Sequence, residues 1–117
     1  MTLRAGIDSE DRATSIFAAL GDPVRRGIVE ALSEVPYLTL TSIANRFPLS
    51  RQAVTKHVAV LERAGMVTIT SVGRERHVAL VPESLRAAKL WLEEIGKEWD
   101  ARLAAPKKYL AESPGTG

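Results

Sequence analysis

The chain contains no cysteine, which excludes disulfides, thiolate metal sites and cysteine nucleophiles together and makes a reducing cytoplasm the expected setting. No stretch approaches the ~20 consecutive apolar residues of a membrane span. The opening Met1-Thr2-Leu3-Arg4 leads into an acidic stretch and not into the apolar region of an export signal, so the chain is expected to be neither exported nor embedded. Catalytic signatures are missing as well: no glycine-rich loop precedes a lysine, and neither Gly-x-Ser-x-Gly nor His-Glu-x-x-His occurs. These absences point away from an enzyme, and no cofactor is expected. The formal net charge is only +2, too small to diagnose a polyanionic partner by itself.

What is present suits one folded unit. The 117 residues can enclose a single core but not two, and 45% hydrophobic with 26% charged residues is ordinary for a globular domain. The expected division is a flexible lead over 1–8, one domain over 9–110, and a disordered tail over 111–117 that ends in Pro114-Gly115-Thr116-Gly117. Charge is unevenly spread. Between Arg46 and His77, six basic residues face two acidic ones, a net +4, so the rest of the chain carries −2.

Periodicity places the elements. Ser9 is expected to cap a first helix with Ala13, Ile16, Phe17 and Leu20 at helical spacing, ended by Gly21. Asp22-Pro23 restarts the chain as a cap followed by proline at the first helical position, and Val24, Ile28, Ala31 and Leu32 repeat the stripe as far as Val35-Pro36. Thr39 or Thr41 can cap a short third helix with Ile43, Ala44 and Phe47 inward, which Pro48 stops. Ser50 caps a fourth, whose apolar stripe is Val54, Val58 and Leu61 and whose end is Ala64-Gly65. From Val67 the period becomes two, giving paired strands that turn at Gly73 and stop at Pro82. A last helix is expected from about Glu83 to beyond Leu103. Along it Leu85, Ala88, Leu92, Ile95 and Trp99 recur alternately three and four apart, and Trp91 and Leu103 widen the seam.

Two short helices joined by a tight turn and followed by a hairpin make a winged helix-turn-helix, in which the second helix of the pair reads duplex DNA. The fold expected is mainly α with a small β-hairpin wing, in the order α-α-α-α-β-β-α. Residues at the start of the fourth helix have base-reading chemistry. Arg51 can donate bidentately to guanine, Gln52 can pair with adenine, and Thr55 can offer a methyl or hydroxyl. Lys56 and His57 are placed for phosphates, Arg74 and Arg76 on the hairpin for the adjacent backbone or minor groove, and Ser50 at the helix start is counted with these DNA-binding residues. Taken alone, a polar helix face is as readily a solvated face, and a charged hairpin tip a solubility device. It is their succession that points to DNA.

Four stretches carry a resemblance. Leu20-Gly21-Asp22-Pro23-Val24-Arg25-Arg26-Gly27-Ile28-Val29 resembles the opening signature of the arsenical-resistance repressor (ArsR) family, and Leu49 to Val58 resembles its recognition helix. Leu61 to Val67 is similar to the exit from that helix, and Gly73-Arg74-Glu75-Arg76 to the wing; together the likeness covers about residues 13 to 103. It implies a homodimer packed through the first and last helices, repression by occluding promoters, and a specificity role for Arg51, Gln52, Thr55 and Lys56. The interface expected on this basis is Ile16, Phe17, Leu85, Ala88, Leu92, Ile95 and Trp99. Metal-sensing members carry Cys near the third helix, or His and Asp sets on the last. This chain has neither, and its histidines, His57 and His77, fall on the reader helix and the wing, so no metal site is expected.

Two rival readings use the same fold. One is a winged-helix module that binds a protein; the other is a repressor gated by an unidentified small-molecule effector in an apolar pocket near Trp91 and Trp99. The expected partners are double-stranded DNA and a second copy of the chain.

Overall fold

The computed structural model describes the backbone of residues 2–104 and the side chains of residues 11–103. The expected tail therefore lies outside the described residues. Helix α1 spans Thr2–Ala19, so the expected lead is helical from Thr2, and Ser9 lies inside the helix and does not cap it. The reason is local: Thr2 to Asp8 contains no proline, and its single glycine costs a helix only about 1 kcal/mol. At the other end α1 stops where expected, at Gly21.

Helix α2 spans Pro23–Leu32 and begins as the sequence predicts. The Asp22 carboxylate accepts the amides of Val24 (2.7 Å) and Arg25 (3.2 Å), satisfying two of the donors that every helix start leaves free. Strand β1, Leu38–Thr39, is an element that the pattern did not announce. Thr39 then caps helix α3, Leu40–Arg46, by accepting the Ser42 amide at 3.0 Å, which settles the choice between Thr39 and Thr41. Phe47 to Ser50 turn the chain into helix α4, Arg51–Arg63, and Ser50 caps it by accepting the Ala53 amide at 3.1 Å.

The end of α4 is closed by two hydrogen bonds. The Met66 amide reaches back to the Leu61 carbonyl and the Gly65 amide to that of Glu62, both at 2.9 Å, while Gly65 adopts φ 77°. This left-handed glycine termination ends the helix sharply and aims the chain into a strand. Strands β2, Val67–Val72, and β3, Glu75–Leu80, form the wing. Strand β1 pairs with β3 through Leu38 opposite Val78 and Thr39 opposite His77. The sheet is thus three antiparallel strands in the order β1-β3-β2, one more than the expected hairpin. A single 3₁₀ turn, Pro82–Leu85, precedes helix α5, Arg86–Ala104. Leu85 accordingly lies before the last helix, not on it.

One core joins these elements. Ile16 and Ala19 of α1, Ile28 and Leu32 of α2, Ile43 of α3, and Val54, Val58 and Leu61 of α4 enclose it, with Met66, Val67 and Val78 closing the sheet side and Ala88 bringing in α5. The phenyl ring of Phe47, at the α3–α4 turn, lies against the backbone of α2 at Gly27. A β-carbon there would stand 2.7 Å from the ring. Gly27→Ala gains helix propensity, about 1 kcal/mol, but forces this contact apart at about 1–3 kcal/mol. The expected outcome is a net loss of stability in urea unfolding, relieved when Phe47 is also changed to Leu; a stabilised single variant would contradict the packing.

Candidate nucleic-acid interface

The rotation of α4 about its own axis is fixed by Val54, Val58 and Leu61, each fully buried. With 3.6 residues per turn, Gln52 and Lys56 lie opposite that stripe and Thr55 on its flank, while Arg51 is in line with it but opens the helix beyond the core's edge; all four are exposed, as is Ser50. The Thr55 hydroxyl donates to the Arg51 carbonyl at 2.8 Å. Its proton is therefore committed within the helix, and it presents a methyl group and an oxygen lone pair outward. Ser50 uses its oxygen as the cap and keeps its O–H free to donate.

His57 departs from expectation. Its ring is half-buried and turned toward α2, with Nδ1 3.3 Å from Nη1 of Arg25. That contact draws it off the face that carries Lys56, so a phosphate contact by His57 is not what this geometry offers. The same Arg25 guanidinium donates from Nε to the Ala19 carbonyl at 2.6 Å and from Nη2 to that of Ala18 at 3.4 Å. One side chain of α2 thus holds the carboxyl end of α1 and reaches α4. The neighbouring Asp22 carboxyl is partly desolvated, which opposes its ionisation. The amides of Arg25 and Val24, the charge of His57 where its ring is protonated and that of Arg25 outweigh this and hold it below its ordinary value.

On the wing, Arg74 and Arg76 are exposed as expected. Its root is held by a contact that pattern reading missed: the Tyr37 ring, one residue before β1, stacks on His77 with centroids 4.0 Å apart and planes at 7°. His77 Nε2 also meets Glu75 Oε1 at 3.0 Å. Arg25 and Tyr37 both act across a long stretch of chain, 32 residues from Arg25 to His57, and no periodicity reports such pairs. The lengths of α4 and β2 match: 13 helical residues rise about 20 Å and six extended ones cover about the same distance.

The residues expected at a dimer interface fall into three groups. Ile16 and Ala88 are only 2% and 5% exposed, because the chain's own core uses them, and they offer nothing to a partner. Leu85 and Ile95 are half-buried. Phe17, Leu92 (54%) and Trp99 (55%) are exposed, and so are Leu90, Trp91 and Leu103 (70%). Phe17 of α1 meets Trp91 of α5 edge to face at 5.5 Å, and the Arg102 guanidinium lies 5.4 Å from the Trp99 ring centre. Trp91 lines open grooves beside α1, and Trp99 lines neither of them. Among the described residues, no group of three or more His, Cys, Asp or Glu is placed to hold a metal ion, and no helix is long and apolar enough to cross a membrane.

A helix pair with an exposed polar second helix, backed by a three-stranded antiparallel sheet whose hairpin projects beside it, defines a winged helix-turn-helix transcriptional regulator that binds DNA. Comparison with known proteins agrees. A family profile described as "Helix-turn-helix domain" matches residues 20–70. The chain is 41% identical over 86 residues to the HTH-type transcriptional regulator YuzN of Bacillus subtilis (strain 168), covering 68% of this chain and 94% of that one. It is 39% identical over 87 residues to the HTH-type transcriptional regulator Rv2034 of Mycobacterium tuberculosis, covering 74% and 78%. Among solved structures, an ArsR-like transcriptional regulator from Rhodococcus sp. RHA1 superposes with a TM-score of 0.73 at 39% identity, over 92% of this chain and 96% of that one. The chain belongs to the ArsR family of winged helix-turn-helix regulators.

The lowered Asp22 carboxyl has a consequence for acid stability. A carboxyl depressed in the folded state contributes stability that is complete above its unfolded value, about 3.9, and is lost as the pH falls through the folded one. Asparagine caps a helix comparably but does not titrate. Wild type should therefore lose stability relative to Asp22→Asn as the pH drops below about 4; parallel unfolding curves for the two at every pH would contradict the assigned environment.

Proposed function

We propose that the chain is a repressor that binds an inverted-repeat operator as a homodimer, with Ser50, Arg51, Gln52, Thr55 and Lys56 on the reader helix and Arg74 and Arg76 on the wing. The observation that carries this reading is the pairing, on one small domain, of an exposed polar face on α4 with an exposed apolar strip on α5. A strip containing Leu92, Trp99 and Leu103 is unfavourable in water and is covered when two copies meet. Two-fold symmetry then presents two reader helices about one turn of duplex apart, which calls for an operator with matching symmetry. Arg74 and Arg76, exposed on the hairpin that follows α4, contact the backbone next to the groove that α4 enters. A dimer seated in this way blocks access to the DNA it covers, and repression needs no further chemistry.

The interface assignment predicts two different failures. Leu92→Asp puts a charge on an exposed position and should yield a folded monomer by sedimentation at micromolar concentration. Ile16→Asp puts one in the core and should unfold the chain instead. A dimeric Leu92→Asp protein would remove α5 from the interface.

The reader assignment predicts two binding phenotypes on duplexes enriched from a random pool. Arg51→Ala or Gln52→Ala should lose about 1–3 kcal/mol on the enriched sequence and little on mixed-sequence DNA. Arg74→Ala or Arg76→Ala should weaken both alike and flatten the dependence of log affinity on log salt by about one unit per phosphate contact. Equal losses on every sequence for Arg51 and Gln52 variants would make α4 an electrostatic anchor. If no sequence is enriched at all, the protein-binding reading gains instead.

A further inference from the structure

The Arg25 guanidinium is unusual in what it spans. Its Nε and Nη2 hold the Ala19 and Ala18 carbonyls at the end of α1, and its Nη1 lies 3.3 Å from Nδ1 of His57 on α4. Arginine has donors only, so this last contact is a hydrogen bond only if Nδ1 is an acceptor. That requires a neutral imidazole with its proton on Nε2. The helix that carries Phe17 of the apolar strip is thereby joined to the helix that carries the reading face through one side chain and one ring nitrogen.

We propose that Arg25 and His57 are positioning residues for the reader helix, and that the link between them holds only while His57 is neutral, so that DNA binding weakens when the ring takes up a proton. The proposal rests on the DNA-reading role of α4 argued above. Once protonated, both ring nitrogens donate, and Nδ1–H would then face another donor on a second cation at 3.3 Å. Two charged groups act on the ring, Arg25 of α2 and the Asp22 carboxylate at the α2 cap. From α1 come only the carbonyls that Arg25 already holds. Helix α3 and strand β2 also pack on α4, but among the described residues neither supplies a hydrogen bond or ion pair to the ring. The cationic ring is repelled by Arg25 and attracted by Asp22. It exchanges one partner for the other, and α4 loses its tie to α1.

The direction of the effect separates this from ordinary electrostatics. Acidification makes a protein more cationic and generally tightens its hold on phosphates; here it should loosen it. The test measures fluorescence anisotropy of a labelled duplex enriched from a random pool, at constant salt, from about pH 7.5 to about pH 5.5, the range in which imidazoles titrate. Wild type should lose affinity on the order of fivefold or more with an unchanged circular dichroism spectrum. His57→Gln keeps a neutral acceptor for Arg25 and should bind with little pH dependence. Arg25→Lys supplies a point charge without the fork and should bind more weakly at both ends of the range, with less preference for the enriched duplex over mixed sequence. His77→Gln should retain the acid loss, because His77 lies in the wing against Tyr37 and Glu75.

A wild-type profile that is flat or rises on acidification overturns the proposal, as does an acid loss that His57→Gln shares or one that tracks loss of helicity. Should His57→Gln fail to fold, the wild-type profile and Arg25→Lys still decide. Absence of binding to any duplex at pH near 7.5 is a different failure: it removes the DNA-reading role of α4 itself.

Discussion

Everything at the reading face depends on three side chains that never reach it. Val54, Val58 and Leu61 recur at four and three residues, are fully buried, and set how α4 is rolled against the core. A helix can slide or rotate on a broad apolar face, but a narrow stripe seated among Ile28, Ile43 and Val78 has one good fit. The polar residues opposite are thereby presented in a fixed order. Base recognition tolerates little angular error, so the apolar stripe is as much a part of it as the groups that touch DNA.

Backbone closure complements this packing. Caps at Asp22, Thr39 and Ser50 settle where three helices begin, and the hydrogen bonds around Gly65 settle where α4 ends. Between them, the α3–α4 turn is pressed onto α2 by Phe47 at Gly27. The caps and the glycine termination are local in sequence, and each fixes a direction that the next element inherits. The angle at which the hairpin leaves the body follows from the last turn of α4, and the Tyr37 ring on His77 braces it from the other side.

This division between local and distant explains what could be read from the chain beforehand. Asp22-Pro23, Ser50 and Ala64-Gly65 are short signals with strong physical causes, and the helices they bound lie where the sequence places them. The exposed polar face of α4 was legible for the same reason at Gln52, Thr55 and Lys56, since a 3.6-residue period separates buried from exposed positions with no knowledge of what lies opposite, whereas Arg51 is in phase with the buried stripe and is exposed because it opens the helix. Strand β1 was not, because two residues are too few to show a period and their pairing with β3 is a tertiary event. Ile16 and Ala88 are covered by the chain's own core, which the pattern did not reveal because periodicity tells that a residue is covered, not whether the same chain covers it. His57 was assigned from its place on the helix. Its partner Arg25 lies far away in sequence, and only the fold brings the two together.

The wing has a property that follows from burial alone. Every residue from Thr70 to Arg76 is exposed, so the outer half of the hairpin is held by its ladder and little else, while Val67 and Val78 at its root are sealed in the core. Opening that outer half exposes almost no new apolar surface, and amide hydrogens there should exchange with solvent at a free energy far below that of global unfolding. Contact with a duplex at the tip would then slow exchange there and leave it unchanged at the root.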